Sequence, residues 1–313
     1  MKKFLAILVL GLFIAYNLFD LNGLTVIFWA IALCVGYGLL LAIMKIWQKR
    51  KIRKYHKKHK TIPKTYEDLE KHLKSSISVM PHLKKKLTLP NVTLLAATSV
   101  DIEQTNFNLK ISSENIEFAA VKLLSSSPTN KKFPNIKYIS IPQMNLSDYN
   151  RLIIEDLHKY FNTSHCLILQ SDSFVVNYER WTEEFLKFDY IGAPWTNKVQ
   201  VNPKLILNME KNLVGNGGFS LRSRKLVEAT AKINYNSLNF PLNNEDVIIC
   251  HYLYSEMVDN GIRFAPPSLA AQFSVELESV NNHYGQDVNS VFGFHGKHLR
   301  NYFYNNYTLH SLV

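Results

Sequence analysis

An α/β fold built on a mainly parallel sheet is predicted by three features of the sequence. The stretch His165–Asn177, HCLILQSDSFVVN, holds four apolar or near-apolar residues, Cys166–Leu169, that run without alternation, as a strand buried on both faces of a parallel sheet does. The run stops at once in Gln170-Ser171-Asp172-Ser173, a polar segment at the carboxyl end of a strand, where open α/β sheets bind their ligands. Strand-like and helix-like patterns then alternate from Val92 to Asp172 as β-α-β-α-β, half of a doubly wound nucleotide-binding layout.

The chain begins with an apolar arm. Phe4–Phe19 is a run of 16 residues without a charge, Asp20-Leu21-Asn22-Gly23 interrupts it with turn chemistry, and Leu24–Met44 is a second uncharged run of 21 residues. At about 1.5 Å per residue the second run matches a bilayer core, and the first, about 24 Å long, falls short of one. The basic start and short apolar centre of the first run resemble a leader peptide. A clear small-x-small cleavage site is lacking and a second run follows closely, which favours a transmembrane helical hairpin. A single-span or re-entrant anchor stays open. Gln48–Lys60, QKRKIRKYHKKHK, carries eight Lys/Arg and no acid. The positive-inside rule places it on the cytoplasmic side, and it suits anionic lipid headgroups. These features predict a multi-pass membrane protein with two spans and its main domain facing the cytoplasm. The expected division is a membrane anchor over 1–47, a basic linker over 48–89, an α/β domain over 90–300 and a tail over 301–313.

Charge separates the parts. Of the formal net charge of +11, residues 1–90 carry 17 Lys+Arg against 4 Asp+Glu, whereas residues 91–313 carry 19 against 21. A near-neutral main domain argues against nucleic acid as a partner. Cys34, Cys166 and Cys250 have no paired spacing, which points to free thiols rather than a disulfide or zinc framework.

Within the main domain, Val92–Ala97 reads as the opening strand, with Thr98, Ser99 and Asp101 at its carboxyl end. Ser113–Leu124 places Ile116, Ala119, Ala120, Leu123 and Leu124 at helical spacing. Ile136–Ile141 is the second strand, and Ser147 is the expected N-cap of a helix carrying Leu152, Ile153, Leu157 and Tyr160. Beyond Asp172, Tyr178–Phe188 reads as an amphipathic helix and Asp189–Trp195 as a short strand and turn. Asn212–Ser220 is glycine-dense, and a helix is expected from Leu221. Another helix follows Glu245-Asp246 over Val247–Val258, Phe264–Ala271 and Phe273–Leu277 are strand-like, and Phe292–Gly296 closes the domain.

Four features stand in series: the strand-end Asp172, the loop Gly215-Asn216-Gly217-Gly218, the acids Glu245-Asp246 and the late His295. Each has a plain reading alone. Asp172 suits a turn or N-cap, the acids suit a helix start, His295 between two phenylalanines suits a packed core, and the loop lacks both common phosphate-binding glycine patterns. In order, however, QSD, DYIGAPW, VGNGGFSLRS, NEDVIICHYL and FGFHG resemble the family catalogued as domain of unknown function 5672, over about residues 90–298. That family looks like the GT-A glycosyltransferases.

The resemblance implies a GT-A-like, Rossmann-like nucleotide-sugar-binding domain and a hexosyltransferase-like enzyme. It implies a metal site at Asp172 and His295, with Mn²⁺ favoured over Mg²⁺. The matching DxD triplet is Gln170-Ser171-Asp172, so its first acid is replaced by Gln. The resemblance implies donor binding by Thr98, Asp101, Gln170, Ser171 and Asp172. On the acceptor side it implies Asp246 as general base, Glu245 as a hydrogen-bonding partner, and contacts from Gly217, Gly218 and Trp195, the last equally readable as a core residue. The expected partners are a nucleotide-sugar donor, a glycan or lipid-linked acceptor and an anionic membrane, with inversion at the anomeric carbon. Two alternatives are a catalytically inactive membrane-docked nucleotide or sugar-binding module of the same fold and a lumenal enzyme, for which sequons at Asn91, Asn145, Asn162 and Asn306 exist.

Overall fold

Uninterrupted apolar runs become the middle of a six-stranded sheet. The computed structural model describes residues 86–202 and 205–310. The first strand, β1 (Leu87–Thr98), is followed by helix α1 (Ile102–Ser112), β2 (Ile116–Ser125) and β3 (Ile136–Ser140). Helix α2 (Leu146–Arg151) continues through a π turn at Leu152–Asp156 and a short 3₁₀ turn, and then come β4 (His165–Leu169) and β5 (Ser173–Val175). The second half contains β6 (Tyr190–Ile191), the hairpin β7 (Lys198–Asn202) and β8 (Leu205–Asn208), β9 (Phe219–Ser223) and α3 (Arg224–Thr230). Helix α4 (Glu245–Val247) runs through a π turn at Ile248–Tyr252 towards α5 (Tyr254–Asp259). The remainder is α6 (Pro267–Phe273), β10 (Ser274–Val275), α7 (Glu278–His283), β11 (Gly293–His295) and α8 (Lys297–His310).

The main sheet has the order β3-β2-β1-β4-β9-β6. Strands β3, β2, β1 and β4 are mutually parallel, while β9 runs antiparallel to both β4 and β6. All five residues of β4 are buried, as its unalternating run predicts. A small second sheet, β10-β11-β5, lies beyond the end of β4. It packs on aromatic side chains: Phe174 and Phe294 meet edge to face at 4.7 Å, and Phe303 of α8 joins them.

Several expected elements differ. Ser113–Leu124 is not a helix: Ile116, Phe118 and Val121 are buried while Glu117 and Ala119 are exposed, the near-alternation of a sheet strand, and the helix lies earlier, at α1. Tyr178–Phe188 forms two separate 3₁₀ turns, each opened by a side-chain cap from Asn177 or Thr182. Phe219–Ser223 is strand, so the helix expected from Leu221 starts at Arg224, capped by Ser223 Oγ. Pro267 stands in the first turn of α6, making helix of a segment that reads as strand-like. Asn145, not Ser147, caps α2, in a reciprocal capping box with Asp148. Residues 301–310 of the tail continue α8, and Phe303 is buried.

The membrane localisation is corrected. Among the described residues no helix is long and apolar enough to cross a membrane. The two apolar runs and most of the basic linker, on which the two-span, cytoplasm-facing topology and the lipid partner rest, lie outside the described residues.

One buried carboxylate ties the edge strand to its neighbours. Asp189 is 5% exposed, accepts the Ser223 hydroxyl at 2.6 Å, and accepts the Arg263 backbone N–H at 2.8 Å. Asp189→Ala leaves both donors unpaired and is expected to destabilise the domain by about 2–3 kcal/mol. The shift of the urea midpoint checks this; an unchanged midpoint would show that Asp189 is not such a tie.

Candidate active site

Two antiparallel registers bring the distant motifs together. Leu169 at the end of β4 lies opposite Phe219 at the start of β9, so Gly218 arrives beside Gln170. The Gln170 backbone N–H donates to the Gly218 carbonyl at 3.1 Å, and the buried Ser173 hydroxyl donates to the same carbonyl at 2.8 Å. In the second register His295 lies opposite Ser173, next to Asp172. Gly296 closes the turn by donating its N–H to the Asp172 carbonyl.

The glycine loop makes room for side chains. A Cβ on Gly217 would lie 1.7 Å from Glu245 Oε1, and one on Gly218 would lie 2.1 Å from the His295 ring. Between them and Gly215, Asn216 is held at φ +64°, the left-handed region that few residues other than glycine adopt.

Behind the loop is a buried ion pair. Arg222 is 1% exposed and donates to Glu245 Oε2 at 2.6 Å; Glu245 is 3% exposed. Arg222 also donates through Nε to Ser220 Oγ, whose hydroxyl donates to the Gly217 carbonyl at 3.0 Å. Burial pushes the Glu245 carboxyl up, to about 7, against the pull of the Arg222 guanidinium, which the pair keeps protonated. Glu245 is thus placed beneath the loop as the partner of Arg222, and not on an open face where an acceptor would meet it. Asp246, the next residue, is partly exposed. Its Oδ2 accepts the Gly217 N–H at 3.0 Å and its Oδ1 accepts the Val247 N–H at 2.8 Å.

On the strand-end side, Asp172 Oδ1 stands 3.4 Å from His295 Nε2, and Glu276 Oε1 stands 3.5 Å from His295 Nδ1. Burial would lower the imidazole, but the two carboxylates outweigh it and lift His295 to about 10. For Asp172, burial works upward, and His295 and Arg300 bring the carboxyl below its ordinary value. Arg300 also donates to the Ser171 carbonyl at 3.3 Å. Asp101, at φ +50° before α1, accepts the Ser171 hydroxyl at 3.3 Å, so the ends of β1 and β4 meet there. Thr98 spends its hydroxyl locally on the Val100 backbone. Trp195 is 7% exposed and lies across Gly215 as a core residue. The Gln170 amide does not point to Asp172's partners; it donates to the Tyr149 hydroxyl at 2.9 Å.

Among the described residues no three His, Cys, Asp or Glu side chains form a metal-binding group. Asp172 and His295 offer two ligand atoms 3.4 Å apart, close enough to share one ion at about 2.1 Å from each. Glu276 on the far ring nitrogen is the second carboxylate that metal-bound histidines commonly have. The set therefore fits an ion completed by phosphate oxygens and water, provided the His295 proton is displaced.

Residues 135–295, just over half of the chain, match the family described as Protein of unknown function (DUF5672). The chain belongs to this family. No curated protein matches it. Among solved structures it is similar to the mannosyltransferase PcManGT of Pyrobaculum calidifontis in complex with GDP-Man and Mn²⁺, at 11% identity and TM-score 0.35, over 64% of this chain and 61% of that one. It is also similar to the glycosyltransferase GlyE of Streptococcus pneumoniae TIGR4, at 10% identity and TM-score 0.40, over 69% of this chain and 60% of that one. The apo form of GlyE gives 10% identity and TM-score 0.38, over 70% and 60%. The chain spans about three fifths of the length of each.

The DUF5672 match runs from just before β3 to the end of β11, so it contains Gln170–Asp172, the glycine loop, Glu245-Asp246 and His295, and it excludes Thr98 and Asp101. The sequence reading missed Tyr149, Arg222, Glu276 and Arg300. Arg222 is a lone charge among the buried residues of β9, a stretch that the sequence divides between a glycine-dense loop and a helix, so its burial had no clear signal. Glu276 and Arg300 had none, because only the β10–β11 and β5–β11 pairings bring them to His295 and the end of β4.

Breaking the buried pair is expected to be costly. Glu245→Ala strands a buried guanidinium and should destabilise the domain by about 3–5 kcal/mol, whereas Arg222→Met with Glu245→Leu should recover most of that. Urea unfolding of both variants checks this; equal losses would mean that the pair is not the source of the cost.

Proposed function

We propose that this domain is a glycosyltransferase that moves a sugar from a nucleotide-sugar donor to a hydroxyl of a glycan or lipid-linked acceptor, with inversion. One observation carries the reading. Asp246, a partly exposed carboxylate, is held by the Gly217 N–H, and the adjacent Gly218 clears the space for His295 beside Asp172. A candidate base and a candidate diphosphate site thus meet on adjacent residues of one loop.

In the proposed reaction the acceptor oxygen attacks the anomeric carbon, the bond from that carbon to the diphosphate oxygen breaks, and the acceptor proton passes to Asp246. Two backbone N–H groups fix the Asp246 carboxylate, so it meets the acceptor in one orientation. Glu245 and Arg222 act from beneath, setting the height of the Gly217 peptide. Asp172 and His295 would hold a divalent ion, Mn²⁺ before Mg²⁺, which neutralises charge on the departing nucleoside diphosphate. Arg300 adds a fixed positive charge at the same strand end. Asp101 and Ser171, joined across the ends of β1 and β4, would bind the nucleotide's ribose. A second reading, a nucleotide-sugar-binding module without turnover, is favoured by Gln170 standing where a metal-binding acid is expected.

Two variants of the full chain separate these readings. Asp246→Asn is expected to lower transfer by about 10²–10⁴-fold while nucleotide binding persists. Asp172→Ala is expected to remove Mn²⁺-dependent nucleotide binding. Calorimetric titration together with nucleotide release from a panel of UDP-, GDP-, CMP- and dTDP-sugars reads both. Binding without release in the wild type, with or without acceptor sugars, would favour the module.

A further inference from the structure

Helix α2 connects the two halves of the site through adjacent residues. Tyr149 accepts a hydrogen bond from the Gln170 amide at 2.9 Å, and the buried Asn150 accepts the Glu245 backbone N–H at 3.3 Å. One short helix therefore touches both the triplet that ends in Asp172 and the acid pair that ends in Asp246. Tyr149 is half-buried and packs against the core cluster that holds Leu152, Ile153 and Ile168. Burial pushes its phenol well above the ordinary value, with the nearby Glu245 charge adding to the effect, so the group remains a neutral hydroxyl.

The direction of the Gln170 bond decides what that hydroxyl has left. It receives an N–H, which occupies one lone pair and polarises the O–H as a donor. Among the described residues the Tyr149 hydrogen has no acceptor in the hydrogen-bond network. The hydroxyl, with its hydrogen unspent, thus lies between the strand-end triplet and the helix position that holds the acid pair.

Resting on the transferase reading above, we propose that Tyr149 is a substrate-contacting residue whose hydroxyl donates a hydrogen bond to the sugar of the bound nucleotide sugar, with Gln170 as its positioning residue. The ligand chemistry is a sugar hydroxyl or ring oxygen, not the nucleotide.

The test compares bare nucleotides with their sugars on the full chain in Mn²⁺: UDP, GDP and dTDP, each against its glucose derivative, and GDP against GDP-mannose. For the nucleotide sugar that binds the wild type, Tyr149→Phe is expected to weaken binding about 3–10-fold while the bare nucleotide binds as before. Gln170→Met, which keeps the volume and removes the amide, should move the same ratio in the same direction by less. An unchanged ratio in Tyr149→Phe overturns the contact, and equal weakening of both ligands makes Tyr149 a structural support and also overturns it. Weakening of the bare nucleotide by Gln170→Met alone overturns the positioning role of Gln170. Failure of the wild type to bind any of these nucleotides, or CMP and the CMP-sugars of the panel above, overturns the transferase reading itself, and the inference with it.

Discussion

The pairing of the end of β4 with the start of β9 is the constraint on which the site depends. Leu169 opposite Phe219 is the last pair of that ladder, and everything chemical begins one residue beyond it on each side. Strand side chains alternate faces, so Phe219 and Leu221 enter the main core while Ser220 and Arg222 turn towards the Gly217 carbonyl and Glu245. A slip of one residue would exchange these sets, burying Arg222 among apolar groups without its partner and exposing two core residues to the carboxylate. The hydrophobic pattern of β9 therefore fixes the ion pair, and the ion pair fixes the loop. The shorter β5–β11 ladder does the same for His295: Phe294 faces the aromatic cluster with Phe174 and Phe303, which leaves the next residue facing Asp172.

A buried Arg–Glu pair is poor evidence of stability, since desolvation offsets much of the attraction. Its value here is positional. Arg222 reaches Gly217 by two routes, through Ser220 to the carbonyl and through Glu245, which fills the space where a side chain at 217 would be. The Gly217 N–H then meets Asp246. A carboxylate expected to contact the acceptor is better understood as part of the frame that orients its neighbour. The acid pair thus divides its labour by burial: Glu245 is closed off and charge-paired, and Asp246 keeps an open side.

The strands β1, β3 and β4 were legible because their apolar runs end in Thr98, Pro142 and Gln170, residues that stop a strand for local reasons. The loop at 215–218 was legible as glycine-dense, and its meaning was not, because it depends on Glu245 and His295, far away in the chain. Ser113–Leu124 misled because Ile116, Ala119, Ala120 and Leu123 satisfy a helical period by coincidence, while the sheet neighbours β1 and β3 impose the strand. The acids 245 and 246 were legible as a pair but not as a buried one and an open one, since burial is set by Arg222 across the sheet. The family resemblance supplied the order of the motifs; the strand registers supply their meeting.

The Gln170 departure has a physical reason in this arrangement. An aspartate at 170 would be acceptor-only, so against Tyr149 it would take the phenol's single hydrogen. It would also add a negative charge near Glu245, whose carboxyl burial already disfavours as a charge. Glutamine reverses the bond: it donates to Tyr149 and leaves the phenol's hydrogen free for another acceptor. The charge on the triplet then rests on Asp172 alone, balanced locally by His295 and Arg300. What the triplet loses as a ligand for a cation, Tyr149 gains as a hydrogen-bond donor, and both effects follow from exchanging one oxygen for an NH₂ group.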